Sequence, residues 1–532
     1  MEQQFRTIWT KLNKTKYLCP FWSAIIVGLL THMPVMVNKF PNSDAMTNFW
    51  FDQNMVTSGR WFLGVACGIS SFYDLNWIIG ILSLLYLGVT AVFLCEVLEV
   101  RSNINRGLVA ALLVTFPAIC ATFAYLYTLD GYMIGLMLSV LAVYFAKKSK
   151  AGFAIGALCL GFSLGIYQAY LAVTMLLCVF YLIKMCLTNR SIKEMWLQGL
   201  KFLGMGVAGG GFYYIMLQIC LKLQDKTLDS YQGISEMGKI SLPALPGMIV
   251  HMIRDFGAFA LKGNVLVNNG FSFVVVVLLG VVAISAALFC YLNVGEKRRW
   301  GNLLLFPVFL LLLPVATNVI LLLSGDAYYH LLMRVQWGLY PIFALCFVDY
   351  ASGYIKSVEK DFIKTKKGNI TSRVVLVISC VAALASAGLS YSFMVTDNIA
   401  YFNMNERYER TYAYCLRLLD RMEQTEGYEP GMKVAMIGVV DENTFPNADI
   451  TFEATSGISG TGGNFLLYKG SQYAAFMAHY MNVTFPVVEG VELVEIYNSD
   501  EYRALDTFPG ENSMKVVNGI LYIKTEAKVE DE

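Results

Sequence analysis

Two carboxylates, Asp44 and Asp52, stand eight residues apart in the stretch FPNSDAMTNFWFDQNMVTSGRWF, residues 40–62. Arg60 and a cluster of aromatic rings, Trp50 and Trp61 among them, share that stretch. A positioned carboxylate can take a proton from a hydroxyl group. An arginine fork suits a phosphate. Asn42 or Ser43 is placed to cap a helix, with Asp44 in its first turn, where negative charge is favoured. Met46, Phe49, Trp50 and Val56 recur near helical spacing. The stretch therefore predicts a short amphipathic helix with its rings at headgroup depth. Asp44 and Asp52 would point about 80° apart around it, so one cleft serves both only by wrapping the helix start. The plainer reading makes the segment an interfacial linker with Asp52 solvated.

Other polar groups recur at the same level of the chain's topology. Asp130 follows the turn YLYTLD, and Tyr167-Gln168 interrupts an apolar stretch. His330 and Arg334 are four residues apart, on one face of an expected helix. Arg334 would lie about a turn inside the apolar layer, where an ionisable group faces a cavity or a partner. Snorkelling to the surface is the alternative.

The elements that hold these groups are apolar. Of 532 residues, 56% are hydrophobic and 15% charged, against roughly half and a quarter in soluble domains. A helix needs about 20 apolar residues to cross a bilayer. Eleven spans are expected near 19–38, 76–94, 107–125, 130–146, 151–167, 169–187, 200–222, 271–293, 302–323, 331–349 and 374–394, with a re-entrant pair as the alternative for the fifth and sixth. The first run is read as a retained span and not a cleaved signal. Lys and Arg crowd the loops on one side of this topology: Lys14 and Lys16, Arg101 and Arg106, Lys147 and Lys148, Lys184 to Lys201, and Lys297 to Arg299. By the positive-inside rule the N-terminus is cytoplasmic and the C-terminus outside. Residues 39–75 then form the first outside loop.

Residues 395–532 differ, with 22 Asp or Glu against 10 Lys or Arg. They hold an amphipathic helical stretch, NERYERTYAYCLRLLDRMEQ, and two strand-like runs, KVAMIGVV and KVVNGILYIKTE. The expected fold class is an α-helical polytopic membrane protein, residues 1–394, with a small C-terminal extracytoplasmic α/β domain, residues 395–532. P-loop, Rossmann and metal-ligand spacings are absent, which argues against an ATP- or NAD-driven site. The GMGVAGGG of residues 204–211 reads as close helix packing. Nearly all twelve Cys lie in or beside apolar runs, where Cys acts as a small hydrophobe. Asn482-Val-Thr is a glycosylation sequon. Nothing calls for nucleic acid.

Several pieces together resemble a known group. NSDAMTNFW followed by SGRW, then FAYLYTLDGYMIGLMLSVLAVYFAKK, then GFSLGIYQAYL, look like the Gtr-type O-antigen glucosyltransferases of the GT-C superfamily of integral-membrane glycosyltransferases. The resemblance covers the membrane part and, more weakly, the C-terminal part. It implies transfer of a glucosyl group from a polyprenyl-phosphate-linked donor to a cell-surface glycan outside the bacterial plasma membrane. Asp44 matches the acidic position of the first loop, but Ser43 and Ala45 flank it where relatives often pair two acids, which weakens a metal site there. No metal ligand is assigned, and a divalent cation stays possible. The implied chemistry is a single inverting displacement with Asp44 as base and Asp52 and Asp130 as further candidates. Arg334, with His330 and Arg60, would hold the donor phosphate. Trp50, Trp61, Tyr167 and Gln168 would meet substrate. The expected partners are the lipid-linked donor, the glycan acceptor and membrane lipids. A lipid-linked sugar flippase and an O-antigen polymerase remain alternatives, the latter through the loop 223–270 with Arg254 and Lys262. No internal repeat of the kind common in transporters is visible.

Overall fold

The computed structural model describes residues 14–47, 49–149, 151–188, 190–229, 242–293, 296–323, 329–362, 366–437, 455, 457–461, 466–467 and 469–525. Two compact units divide the chain. The first holds residues 1–37, 51–398 and 457–459; the second holds residues 38–50, 399–456 and 460–532.

The first unit is helical. Its elements are α1 (Thr15–Val37), α2 (Asn76–Leu98), α3 (Asn103–Thr115), α4 (Pro117–Phe123), α5 (Leu126–Lys148), α6 (Gly152–Ile166), α7 (Leu171–Leu187), α8 (Ile192–Leu223), α9 (Leu245–Lys262), α10 (Gly270–Leu292), α11 (Glu296–Thr317) and α12 (Leu339–Phe362). A last helix, α13 (Lys366–Gln424), belongs to this unit up to Asn398. Among the described residues, eight helices are long and apolar enough to cross a membrane. A ninth is added if α3 and α4, bent by 49°, make one span. The protein is thus a multi-pass membrane protein. The expected fifth and ninth spans coincide with shorter apolar helices, Gly152–Ile166 and Leu305–Thr317, so length and apolarity alone do not reach eleven.

Local chemistry sets the breaks. Pro117 cannot donate to the preceding turn, and its ring disfavours a helical residue before it; Phe116 is extended, and the bend falls there. Ser191 and Glu194 cap the start of α8 reciprocally, as Asn269 and Ser272 do for α10. Tyr167 is extended and separates α6 from the turn that opens α7. Helix α1 packs on α2 and α3, α2 on α5, α5 on α6, α6 on α8, α7 on α11, and α10 on α12. Small residues bring α6 and α8 together. A Cβ on Gly209 would meet the Ala157 carbonyl at 2.9 Å, whereas Gly206, Gly210 and Gly211 face open space. The glycine run therefore packs tightly at one position and not along its length.

The tenth expected span begins later than its sequence suggests. Residues 331–338 form two 3₁₀ turns, Leu331–Met333 and Val335–Gly338, and the α-helix starts at Leu339. The first-loop helix is also corrected. Among the described residues of 40–62, the helical turns are the 3₁₀ turns Asp44–Thr47 and Val56–Ser58, and they fall in different units. Met46 and Val56 are buried and Trp50 is 57% exposed, so the apolar positions do not share one helical face.

The second unit has a three-stranded sheet in the order β1-β3-β2, from β1 (Lys433–Ile437), β2 (Met514–Val517) and β3 (Ile520–Lys524). β1 pairs with β3 in parallel, Val434 opposite Leu521; β2 pairs with β3 antiparallel, Val516 opposite Leu521. The run KVVNGILYIKTE is thus a hairpin and not one strand. Asn518 and Gly519 both take positive φ, 50° and 78°, as the tightest hairpin turn requires. The second half of KVAMIGVV, residues 438–440, lies outside the described residues. Tyr414, Leu418 and Met422 of α13 bury against Val434, Phe476, Leu521 and Ile523, and Met46 joins that core.

Candidate functional site

In the first unit, three separate stretches of sequence close on one another. Ser58-Gly59-Arg60-Trp61 ends the turn Val56–Ser58, with Gly59 as its left-handed cap at φ 75°. The Gln168 amide donates to the Ser58 carbonyl at 3.0 Å and to the Tyr213 hydroxyl at 3.1 Å. That hydroxyl donates to the Gly59 carbonyl at 3.1 Å. A Cβ on Gly59 would collide with both the Gln168 amide and the Tyr213 hydroxyl, so glycine is required by conformation and by space. Trp61 lies against Gly165, whose Cβ would sit 2.6 Å from the indole, and the Phe62 N–H donates to the Gly165 carbonyl at 2.8 Å. SGRW and SLGIYQ are therefore interlocked.

Arg60 is the charged group at this junction. Its Nη1 donates to the Tyr132 hydroxyl at 3.1 Å, and the guanidinium lies 4.9 Å from the Tyr167 ring centroid. Tyr132 and Tyr167 stack with centroids 4.6 Å apart. The third stretch, LYTLDGYM, supplies Tyr132 from the first turns of α5. The half-buried guanidinium is oriented by the Tyr132 hydroxyl and by one aromatic face, that of Tyr167.

Asp130 stands two residues before Tyr132 and is 1% exposed. Its Oδ1 accepts the Gly131 N–H at 2.9 Å, and its Oδ2 has no hydrogen-bond partner among the described residues. Cys67 packs beside it, with a Cβ on Gly131 only 2.6 Å from the thiol. Burial pushes the Cys67 thiol well above its usual range, and the Asp130 carboxylate adds to that, so the neutral thiol is favoured. Asp52 is exposed; its Oδ1 accepts the Asn54 N–H at 3.0 Å, a local turn contact.

Arg334 forms a second cluster. It lies at the junction of the two 3₁₀ turns with φ −109° and ψ 23°, so it and His330 do not share an α-helical face as their spacing suggests. His330 caps the first turn, its carbonyl accepting the Met333 N–H at 3.0 Å. Arg334 is 7% exposed, and its anion comes from the protein itself. Nη1 and Nη2 donate to the two Asp255 oxygens at 2.7 and 2.8 Å, and Nε donates to the Tyr329 carbonyl at 3.2 Å. The Tyr329 ring stacks at 3.8 Å and Asn318 donates to Asp255 at 3.0 Å. Both fork positions of the guanidinium are thus filled by a carboxylate.

In the second unit, Asp44 is exposed at the start of its 3₁₀ turn. Asn42 caps that turn as its type suggests, its side-chain oxygen accepting the Ala45 N–H at 2.9 Å. Met46 is fully buried, Phe49 stacks on His479 at 4.0 Å, and Lys39 lies 3.5 Å above the Phe49 ring.

The structure therefore brings Arg60, Trp61, Tyr167 and Gln168 together and places Asp130 on the helix that supplies Tyr132. It sets Arg334 apart with Asp255. Sequence reading missed Tyr132, Tyr213 and Asp255. Tyr132 was signalled only by its nearness to Asp130, Tyr213 by nothing beyond its place after the glycine run, and Asp255 by being an acid among apolar residues of an amphipathic helix. Among the described residues, no group of three His, Cys, Asp or Glu is placed to hold a metal ion.

The family model described as Glucosyl transferase GtrII matches residues 33–348, more than half of the chain. No curated protein and no solved structure matches.

Proposed function

Because the chain belongs to the GtrII glucosyl transferase family, we propose that it moves a glucosyl group from a polyprenyl-phosphate donor to a surface glycan outside the bacterial plasma membrane. The observation that carries the reading is the closure of SGRW, LYTLDGYM and SLGIYQ around Arg60. A phosphate-linked sugar already has a good leaving group, so the chemistry needs a cation for the departing phosphate and a base for the acceptor hydroxyl. Arg60 is the cation. The acceptor oxygen bonds to the anomeric carbon as the carbon–oxygen bond to phosphate breaks. The electron pair leaves on the phosphate, the hydroxyl proton passes to a carboxylate, and the anomeric carbon inverts. The resemblance assigns that carboxylate to Asp44; Asp130 is the alternative. Tyr132, Tyr167 and Trp61 offer aromatic faces for a sugar. Arg334 is assigned a positioning role, because Asp255 occupies its fork.

The sidedness rests on an eleven-span topology, which the ion pairs gathered at one end of the helices support. Glu99, after α2, pairs with Lys147 of α5 at 2.8 Å and with Lys184 of α7. Two helices that finish at one point are consistent with the short α6 between them returning across the layer. A cavity at this end is lined by Lys184, by Cys290 of α10 and by Tyr354 of α12, which supports the same reading for α11. Lys and Arg mark this end as cytoplasmic.

The test is turnover. Membranes containing the protein, given lipid-linked glucose and acceptor glycan, should yield a glycan heavier by one hexose. A polymer, or passage of the lipid-linked sugar without transfer, overturns the reading. Asp44→Asn should abolish transfer while leaving insertion intact; near-normal turnover in that variant moves the base to Asp130 or Asp52.

A further inference from the structure

We propose that the end of the first unit around Glu99 binds the anionic headgroup of a membrane phospholipid, whose chain lies in an apolar groove between α7, α10, α11 and α12. This site is separate from the Arg60 junction and does not depend on the proposed reaction.

The headgroup end is a cavity of about 530 Å³, a volume typical of ligand sites. Its charged lining is Arg101, Lys184 and Arg190 against Glu99 and Glu194. Lys147 binds Glu99 from its other side at 2.8 Å. Cations therefore outnumber carboxylates. Lys184 is almost fully buried, pairs with Glu99 and lies about equally near the Tyr181 and Tyr350 rings, 5.2 and 5.0 Å from their centroids. Arg190 is half exposed, 3.7 Å from Glu194, and free to turn toward the cavity because an exposed pair of that kind is weakly held. Basic pockets between membrane helices suit phosphate headgroups, and arginine adds a bidentate fork.

The groove is the second observation. A cavity of about 740 Å³ runs along α10 from Tyr291 and Leu288 past Ala287, Ala283 and Gly280 to Val276. Phe180 and Ile183 of α7 wall it on one side, and Pro307 and Leu310 of α11 on another. Leu187, the last residue of α7, lines both cavities. The basic polar chamber and the apolar cavity thus meet at Leu187. An amphiphile with a phosphate head and a hydrocarbon chain matches that sequence of surfaces, and a soluble anion matches only the first. A Cβ on Gly280 would meet nothing within 4 Å, so there is room where a chain would pass.

The test is native mass spectrometry of the full-length protein released from detergent containing phosphatidylglycerol and phosphatidylcholine of identical chains. Phosphatidylglycerol should be retained in preference. Arg101→Gln with Arg190→Gln should remove that preference, each arginine accounting for about fivefold. Gly280→Phe should lower retention of phosphatidylglycerol while leaving the protein monodisperse. If the double variant fails to insert, the exposed Arg190→Gln alone still carries its share. Equal retention of both lipids, no change in the double variant, or no change in Gly280→Phe overturns the proposal. So does displacement of the lipid by millimolar glycerol phosphate, which identifies a free-anion site only.

Discussion

Arg60 and Arg334 carry the same charge in opposite circumstances. Arg60 donates to the Tyr132 hydroxyl and lies against the Tyr167 ring, at the junction of three motif segments. Arg334 is clamped by both oxygens of Asp255. The two should fail differently. Arg60→Lys keeps the charge and loses the fork, so turnover and donor affinity should fall with the acceptor KM little changed; steady-state kinetics with each substrate varied separately checks this, and a rise in acceptor KM alone would refute it. Arg334→Ala leaves Asp255 without its partner in a mostly buried place. The loss should appear as about 3 kcal/mol or more of stability, seen as a lower unfolding temperature in detergent. Asp255→Asn should do much the same. An Arg334→Ala protein as stable as the parent but inactive would return Arg334 to the donor phosphate.

The segment 38–50 shows how an element is fastened by few groups. Met46 enters the core of the second unit, and Phe49 stacks between Lys39 and His479. Burial, and then the nearby Lys39 charge, hold the His479 pKa below its ordinary 6.5. The fold therefore favours the neutral ring. The sign follows: its contribution is intact above the ordinary histidine value and declines as pH falls from there through the lowered value. Protease sensitivity within residues 38–50 should rise between neutral and mildly acidic pH, and His479→Gln should flatten that profile. A profile unchanged by the substitution would show that another group sets it. In the first unit, Glu99 is the reverse case. Burial opposes its charge, but Lys184 and Lys147 outweigh that and take its pKa down to about 2, so this tie persists through the same acidification.

At the scale of the whole chain, the number of crossings decides the side of the C-terminal residues. An even count returns them to the starting side, and nine or eleven put them opposite. Lys16 reaches Glu96 at 3.2 Å, which places the start of α1 and the end of α2 together. With the Glu99 ties and the Lys/Arg distribution, the expected outcome is a C-terminus outside. A reporter active only in the periplasm, fused after Glu532, should be active; activity instead from a cytoplasm-only reporter there would move the Arg60 junction to the wrong side for the proposed donor.

The sequence alone determined the features that depend on local or additive physics. Apolar runs of sufficient length gave the membrane helices, because each burial in lipid is counted residue by residue. The SGRW, LYTLDGYM and SLGIYQ segments point to the family that the matching family model shows. A cap at Asn42 or Ser43 is legible, since capping needs only neighbours along the chain, and the structure uses Asn42. The Asn518-Gly519 pair carries a strong hairpin signal within the strand-like run KVVNGILYIKTE. Only the tertiary structure decided which distant groups meet. Whether Arg334 faces a ligand or Asp255 depends on the fold of residues 79 positions away, and no spacing encodes that. The split of the first loop between two units depends on Met46 finding a core built from α13 and the sheet. The dependence of Gly59 on Gln168 and Tyr213 is a matter of three segments competing for one volume. Periodicity describes one element at a time, and the site is made where elements exclude each other.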